Sequence, residues 1–190
     1  MNNSRILVLA SILLGITAVP ARADLVTDPG FESCTSAGSQ PPGWSGTATC
    51  GVGGHSGDWE AFLGRIPTTL SQSITTTPGA SYLFSFWLST DGAPSGGISD
   101  FTASFGTDQV LDLTHSPGFR YRQEEFIVSA TTGSTLIDFV GSSVLFWLVD
   151  DVSVSPVPEP SGLVLLAAGV FGIGLIRRRS DARNRRVPTG

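Results

Sequence analysis

Three groups of residues in this chain could do chemistry. The first is the acidic pair within Val149-Asp150-Asp151-Val152-Ser153-Val154. Val152 and Val154 are apolar at alternate positions and should face a core, and the same alternation points Asp150 inward with them. A carboxylate buried there without a partner costs on the order of several kcal/mol, so it calls for a cation, a proton or backbone N–H donors capping the strand. The second group is Cys34 and Cys50, the only two cysteines. An even count in an exported chain suggests a disulfide, with two buried free thiols as the alternative. A bridge closing a loop of about 15 residues is worth on the order of 3 kcal/mol. The third group is aromatic: Trp44, Trp59, Trp87, Trp147 and Tyr121. Exposed aromatic faces stack on the CH faces of sugars. Trp87 is out of phase with Tyr82, Phe84 and Phe86, and Trp147 with Asp150, Val152 and Val154, which lets both face solvent and a glycan. Burial in the core or at its rim is the competing reading. Tyr121 sits in the polar run Arg120-Tyr121-Arg122 ahead of Glu124 and Glu125, which could edge a sugar cleft or protect an edge strand.

Catalysis finds little support. The histidines are His55 and His115 alone, and the chain has no G-x-S-x-G, H-E-x-x-H or phosphate-loop pattern. Asp58 with Glu60, and Glu124 with Glu125, are paired carboxylates, but nothing in the sequence sets the separation that glycoside hydrolysis needs. They read as surface charge.

The elements that must hold these residues are strands. Period-two alternation marks 69–74, 82–88, 101–105, 109–113, 119–128, 135–140 and 144–154, with Thr77-Pro78-Gly79 as a turn. No helical periodicity survives between the Gly and Pro breaks. Residues 24–155 therefore read as an all-β domain, a sandwich or barrel, large enough to bury a core.

The ends differ from this middle. Of 190 residues, 11 are basic, all of them arginine, and 16 are acidic, for a formal net charge of −5. The acids crowd residues 24–156, where only Arg65, Arg120 and Arg122 oppose them. Such a surface excludes nucleic acid as a partner. Residues 1–23 form a secretory signal: Arg5, an apolar run over 6–19, then Ala21-Arg22-Ala23, with cleavage by signal peptidase before Asp24. Near the other end, Pro158-Glu159-Pro160 precedes a charge-free run over 162–176, then Arg177, Arg178 and Arg179, with a basic tail over 181–190. The run is short for a transmembrane helix, but flanking residues and snorkelling arginines extend it to spanning length. The arginines hold the C-terminus cytoplasmic and place the domain outside.

This order of Pro-Glu-Pro, apolar run and arginine cluster over 156–180 resembles the PEP-CTERM protein-sorting domain. The resemblance implies a Gram-negative bacterium that makes extracellular polysaccharide, an inner-membrane intermediate, and processing by an exosortase near the motif before the protein reaches the cell surface or matrix. The middle resembles the galactose-binding-like jelly roll of carbohydrate-binding modules. That likeness is carried by Asp28-Pro29-Gly30-Phe31-Glu32, Pro78-Gly79-Ala80-Ser81-Tyr82-Leu83-Phe84-Ser85-Phe86 and the terminal Asp150-Asp151-Val152-Ser153-Val154, although the usual Asn-Gly of the first box is Asp28-Pro29. It implies a jelly-roll β-sandwich and a structural Ca²⁺ held by Glu32 and Asp150, with Asp28 and Asp58 as lesser ligands. The expected function is a non-enzymatic surface protein associated with exopolysaccharide, neutral sugars suiting its acidity best. A purely structural or adhesive protein, or a carbohydrate-active enzyme, are the rival expectations.

Overall fold

The computed structural model describes residues 23–64, 67–92 and 97–157. The expected signal peptide up to residue 22, the sorting motif from Pro158 to Arg179, the transmembrane helix over 162–176 and the basic tail lie outside the described residues. Among the described residues, no helix is long and apolar enough to cross a membrane.

The domain is built of ten strands. They are β1 (Ser45–Gly46), β2 (Thr49–Val52), β3 (Trp59–Gly64), β4 (Thr68–Thr75), β5 (Ser81–Gly92), β6 (Ser99–Phe105), β7 (Asp108–Leu113), β8 (Pro117–Ser129), β9 (Ser134–Ser143) and β10 (Phe146–Pro156). All seven segments expected from alternation form strands. They make two five-stranded antiparallel sheets, sheet A in the order β1-β4-β9-β6-β7 and sheet B in the order β2-β3-β10-β5-β8. Neighbours within each sheet are mostly distant in sequence, as a jelly roll requires.

Alternation explains the layering. In β4, β6 and β9, buried residues alternate with exposed or half-buried ones, so each strand gives one face to the core and one to solvent. The buried faces supply Leu70, Ile74, Phe101, Ala103, Phe105, Ile137 and Phe139 from sheet A, and Ala61, Leu63, Phe84, Phe86, Leu88, Trp147, Val149, Val152 and Val154 from sheet B. Phe139 lies at the centre, with its ring 5.0 Å from Phe86, 5.8 Å from Phe84 and 6.1 Å from Phe101. The sheets approach closely at Gly141. A Cβ there would sit 2.8 Å from Leu63 Cβ across the interface.

The first three strands carry weaker sequence signals. β1 and β2 are two and four residues long, and β2 is Thr-Cys-Gly-Val. They are held by their surroundings. Thr47 and Ala48 N–H groups both donate to Thr69 O, and a disulfide joins Cys34 to Cys50 in β2 across a sequence separation of 16. The bridge ties the strandless N-terminal segment to an edge strand too short to hold it by pairing alone.

Trp147 is fully buried, with its ring centroid 5.0 Å from that of Phe101. Trp147→Ala should therefore cost about 3–5 kcal/mol in a denaturant melt. A loss below about 1 kcal/mol would contradict its placement in the core.

Candidate functional site

The outer face of sheet B gathers the chemistry, and a bulge in β10 sets it. The pairing of β10 with β5 shifts register between Asp150 and Ser153, and Asp151 takes a left-handed φ of 47°. Val152 N–H donates to Pro29 O at 2.9 Å. Ahead of the bulge Trp147 and Val149 point into the core; beyond it Val152 and Val154 do. One extra residue reverses the phase of the strand. Two sequence expectations are corrected by this. Asp150 does not share the inward face of Val152 and Val154; it lies on the outer face, paired with Trp87. Trp147 does not face solvent, and its buried ring has no surface to offer a glycan.

Asp150 is nevertheless 0% exposed. The β2–β3 loop, residues 53–58, folds over it. Ser56 N–H donates to Asp150 Oδ2 at 3.0 Å, and Asp151 N–H to Asp150 Oδ1 at 2.8 Å. Asp151 in turn accepts the Ser56 hydroxyl at 2.6 Å and pairs with His55 Nδ1 at 2.8 Å. The far side of the loop is held by Glu32, whose Oε1 accepts the N–H groups of Asp58 and Trp59, each at 3.0 Å. Gly57 permits that approach. Its φ is +63°, and a Cβ there would lie 2.2 Å from Glu32 Oε1.

The loop lays His55 on Trp87, with ring centroids 3.6 Å apart and planes 12° from parallel. Tyr121 meets the same imidazole edge-on at 5.5 Å. From β8, the Tyr121 hydroxyl reaches over β5 and β10 to donate to Glu60 Oε2 on β3. The structure thus brings together Trp87, Tyr121 and Asp150, and adds His55, Ser56, Glu60 and Asp151. Nothing in the sequence of the loop Gly53-Gly54-His55-Ser56-Gly57 announces that it would be pinned over a sheet.

Burial governs the electrostatics. Desolvation pushes the Asp150 carboxyl up to about 6; the amide donors pull it back only part way, and the neighbouring Asp151 charge adds to the rise. Burial also raises Glu60, against the pull of its Tyr121 hydrogen bond, and raises Tyr121. Glu60, 3% exposed and bonded to Tyr121, and Asp150, bonded to two amides, are closed off from a substrate in this arrangement.

The carboxylates expected to hold Ca²⁺ are already engaged by the protein itself. Asp150, Asp151 and Glu32 all lie beside Gly30, but among the described residues no three His, Cys, Asp or Glu side chains are arranged to hold a metal ion. Glu32 and Asp150 are separately engaged by four backbone N–H groups. Asp28 accepts Ser33 N–H through Oδ1, while its Oδ2 is buried and unpartnered. Asp58 contributes its amide to Glu32.

Beside Tyr121, between β5 and β8, an open cleft of about 290 Å³ is lined by Ser89, Thr90, Asp91, Gly118, Phe119 and Arg120. Arg122 covers the Phe119 ring at 4.0 Å and pairs with Glu124 at 2.6 Å. The cleft combines hydroxyl, carboxylate, guanidinium and aromatic groups, the set that hydroxyl-rich ligands require.

Two measurements follow from this geometry. The folded Asp150 pKa of about 6 lies above the ordinary value of 3.8, so the native state holds a proton that the unfolded chain releases. Stability should therefore fall as pH rises from about 4 to 6 and then level off, this group contributing on the order of 3 kcal/mol. Comparing urea melts of wild type and Asp150→Asn isolates the effect, and a difference that stays constant across that range would refute it. Melting midpoints in Ca²⁺ and in chelator should coincide; a clear rise with Ca²⁺ would show that the carboxylates regroup around the ion.

Solved structures share this architecture. The CBM22-1 xylan-binding domain of Xyn10C from Paenibacillus barcinonensis matches with a TM-score of 0.53 at 15% identity, over 75% of this chain and 99% of that one. The K3 cleaved adhesin domain of Lys-gingipain from Porphyromonas gingivalis matches at 0.52 and 13%, over 71% and 99%. A xylan-binding domain of CBM 22 matches at 0.51 and 11%, over 70% and 96%. These likenesses establish the fold, a jelly-roll β-sandwich. A search of curated proteins finds no match. Residues 156–179 match the PEP-CTERM protein-sorting motif, which implies exosortase-dependent export to the cell surface. The chain is therefore a jelly-roll sandwich whose last strand runs directly into a PEP-CTERM sorting motif.

Proposed function

We propose that the protein is a non-catalytic surface component that associates with the extracellular polysaccharide of its producer. The observation that carries this reading is the junction itself. A sandwich with the fold of carbohydrate-binding modules passes, within β10, into a motif for export to the surface. The glycan contact belongs to the cleft along β5 and β8, where Asp91 and Arg120 offer charge-assisted hydrogen bonds and Phe119 an apolar wall. Tyr121 borders it. Trp87 contributes from beneath: its face is already taken by His55, so it supports the site and does not serve as an open stacking platform. The surplus of acids on the domain favours neutral sugars over anionic ones.

Glu60 and Asp150, buried and hydrogen-bonded, hold the loop and the aromatic cluster in place, a supporting part in a binding surface.

Retention of the exported protein on the producer's own polysaccharide tests the reading. Arg120→Ala or Asp91→Ala should weaken retention at least about tenfold, the loss expected for one charge-assisted hydrogen bond. Mass spectrometry of the mature protein should place its C-terminus near Glu159. An intact tail in the surface-localised protein would remove the sorting half of the proposal, and no retention on any glycan the binding half.

A further inference from the structure

The structure shows how little chain separates the sandwich from its tail. Pro156 still pairs with Tyr82 in β10, and Val157 N–H donates to Ser81 O at 2.8 Å. Only Pro158 to Ser161 stand between that hydrogen bond and the apolar run that begins at Gly162. Fully extended, the steps from Val157 to Gly162 span at most about 18 Å. A headgroup layer takes up about 5–8 Å of that reach. The apolar run is also short for a bilayer core, which draws its flanks toward the headgroups. On the membrane-anchored reading of the tail, on which this inference rests, the end of the domain at Val157 stays within about 13 Å of the lipid surface.

The chain's other end emerges at the same place. Leu25 N–H donates to Val154 O at 3.0 Å, and Asp24 Oδ1 accepts Val154 N–H at 3.0 Å and Val26 N–H at 3.0 Å. The expected signal peptide would therefore leave the domain beside the sorting motif, so both membrane-directed segments pull on one pole.

That pole has an unusual composition for so acidic a domain. It is made by the β4–β5 turn over 76–80, the β8–β9 turn over 130–133 and the β6–β7 turn over 106–107. None of these turns contains a charged residue; they are Thr, Ala, Gly and Pro. They are knitted together: Gly79 N–H to Ala130 O at 2.7 Å, Thr76 N–H to Gly133 O at 3.1 Å, Thr76 Oγ1 to Thr132 O at 2.8 Å and Gly106 N–H to Leu136 O at 2.7 Å. The flanking acids, Asp24 and Asp108, are both exposed, and Asp24 Oδ1 accepts the two amides. Ile127 and Leu136, 66% and 45% exposed, rise beside the turns from the outer faces of the two sheets. The opposite end carries Asp91, Asp100, Asp112 and Arg120.

We propose that this hydroxyl-rich pole is a membrane-facing surface, which the short tether holds against the headgroups of the anchoring bilayer until the tail is cut. An anionic bilayer surface repels carboxylates within about a Debye length. The three uncharged turns add no repulsion to that of Asp24 and Asp108 at their edge, and their threonine hydroxyls can donate to lipid phosphates. The arrangement points the Asp91–Arg120 cleft away from the membrane, toward the outside.

The full chain, reconstituted in vesicles of phosphatidylethanolamine and phosphatidylglycerol, tests this. A fluorophore is placed on Thr131→Cys at the pole or on Arg120→Cys at the far end, the native cysteines being joined to each other. Lipids spin-labelled at the headgroup should quench the probe at position 131 several-fold more than the one at 120. Equal quenching, or none at 131 in protein that floats with the vesicles, overturns the docking surface and leaves the anchored tail intact. Protein that fails to float overturns the anchored-tail reading, and the docking surface with it.

Discussion

The domain's outer face depends on one buried charge and the amides that hold it. Asp150 sits in the middle of sheet B, on a strand flanked by two others, where water cannot solvate it. Its two oxygens take one N–H from its own bulge and one from a loop that Glu32 and Asp151 also hold. The carboxylates fix the loop, the loop fixes His55, and His55 covers Trp87. A buried charge is expensive, and the amide dipoles offset this one only in part.

The bulge at Asp150–Asp151 has a second effect, on the core. By inserting one residue it lets a strand be apolar inward on both sides of a polar interruption. Trp147 and Val149 pack before it, Val152 and Val154 after it, and the two carboxylates leave by the other face. The core remains continuous around Phe139 while the outer face gains its acids. Fold and site are thus produced by the same local irregularity, and neither could be altered there without the other.

This is also where reading the sequence fails. Alternation of apolar and polar residues locates β4 to β10, most cleanly in β4, β6 and β9, which have one wet face and one dry face over at least five residues. It cannot see a bulge. Counting by twos from Val154 through Asp150 carries the phase past the extra residue, which turns Asp150 inward and Trp147 outward, each opposite to its place. β1 to β3 are missed for a different reason. Ser-Gly and Thr-Cys-Gly-Val have too few side chains to show a period, and their pairing is imposed by the disulfide and by β4. The participation of His55 rests wholly on tertiary contacts between the loop and residues nearly a hundred positions away. Alternation sets Trp87 out of phase with Tyr82, Phe84 and Phe86 while leaving burial open, and what covers Trp87 is not written near it.

The strand order of sheet B bears on when the fold can be completed. β10 lies between β3 and β5, yet it is the last of the ten strands along the chain. Until residue 156 has been made, both of those neighbours present open edges, and the carboxylate that organises the loop is missing. The domain therefore cannot finish folding until the chain has reached the sorting motif, which begins at the same residue. A chain interrupted before that point would have a gap in the centre of its sheet. Completion of the fold and arrival of the sorting motif are thereby made a single event.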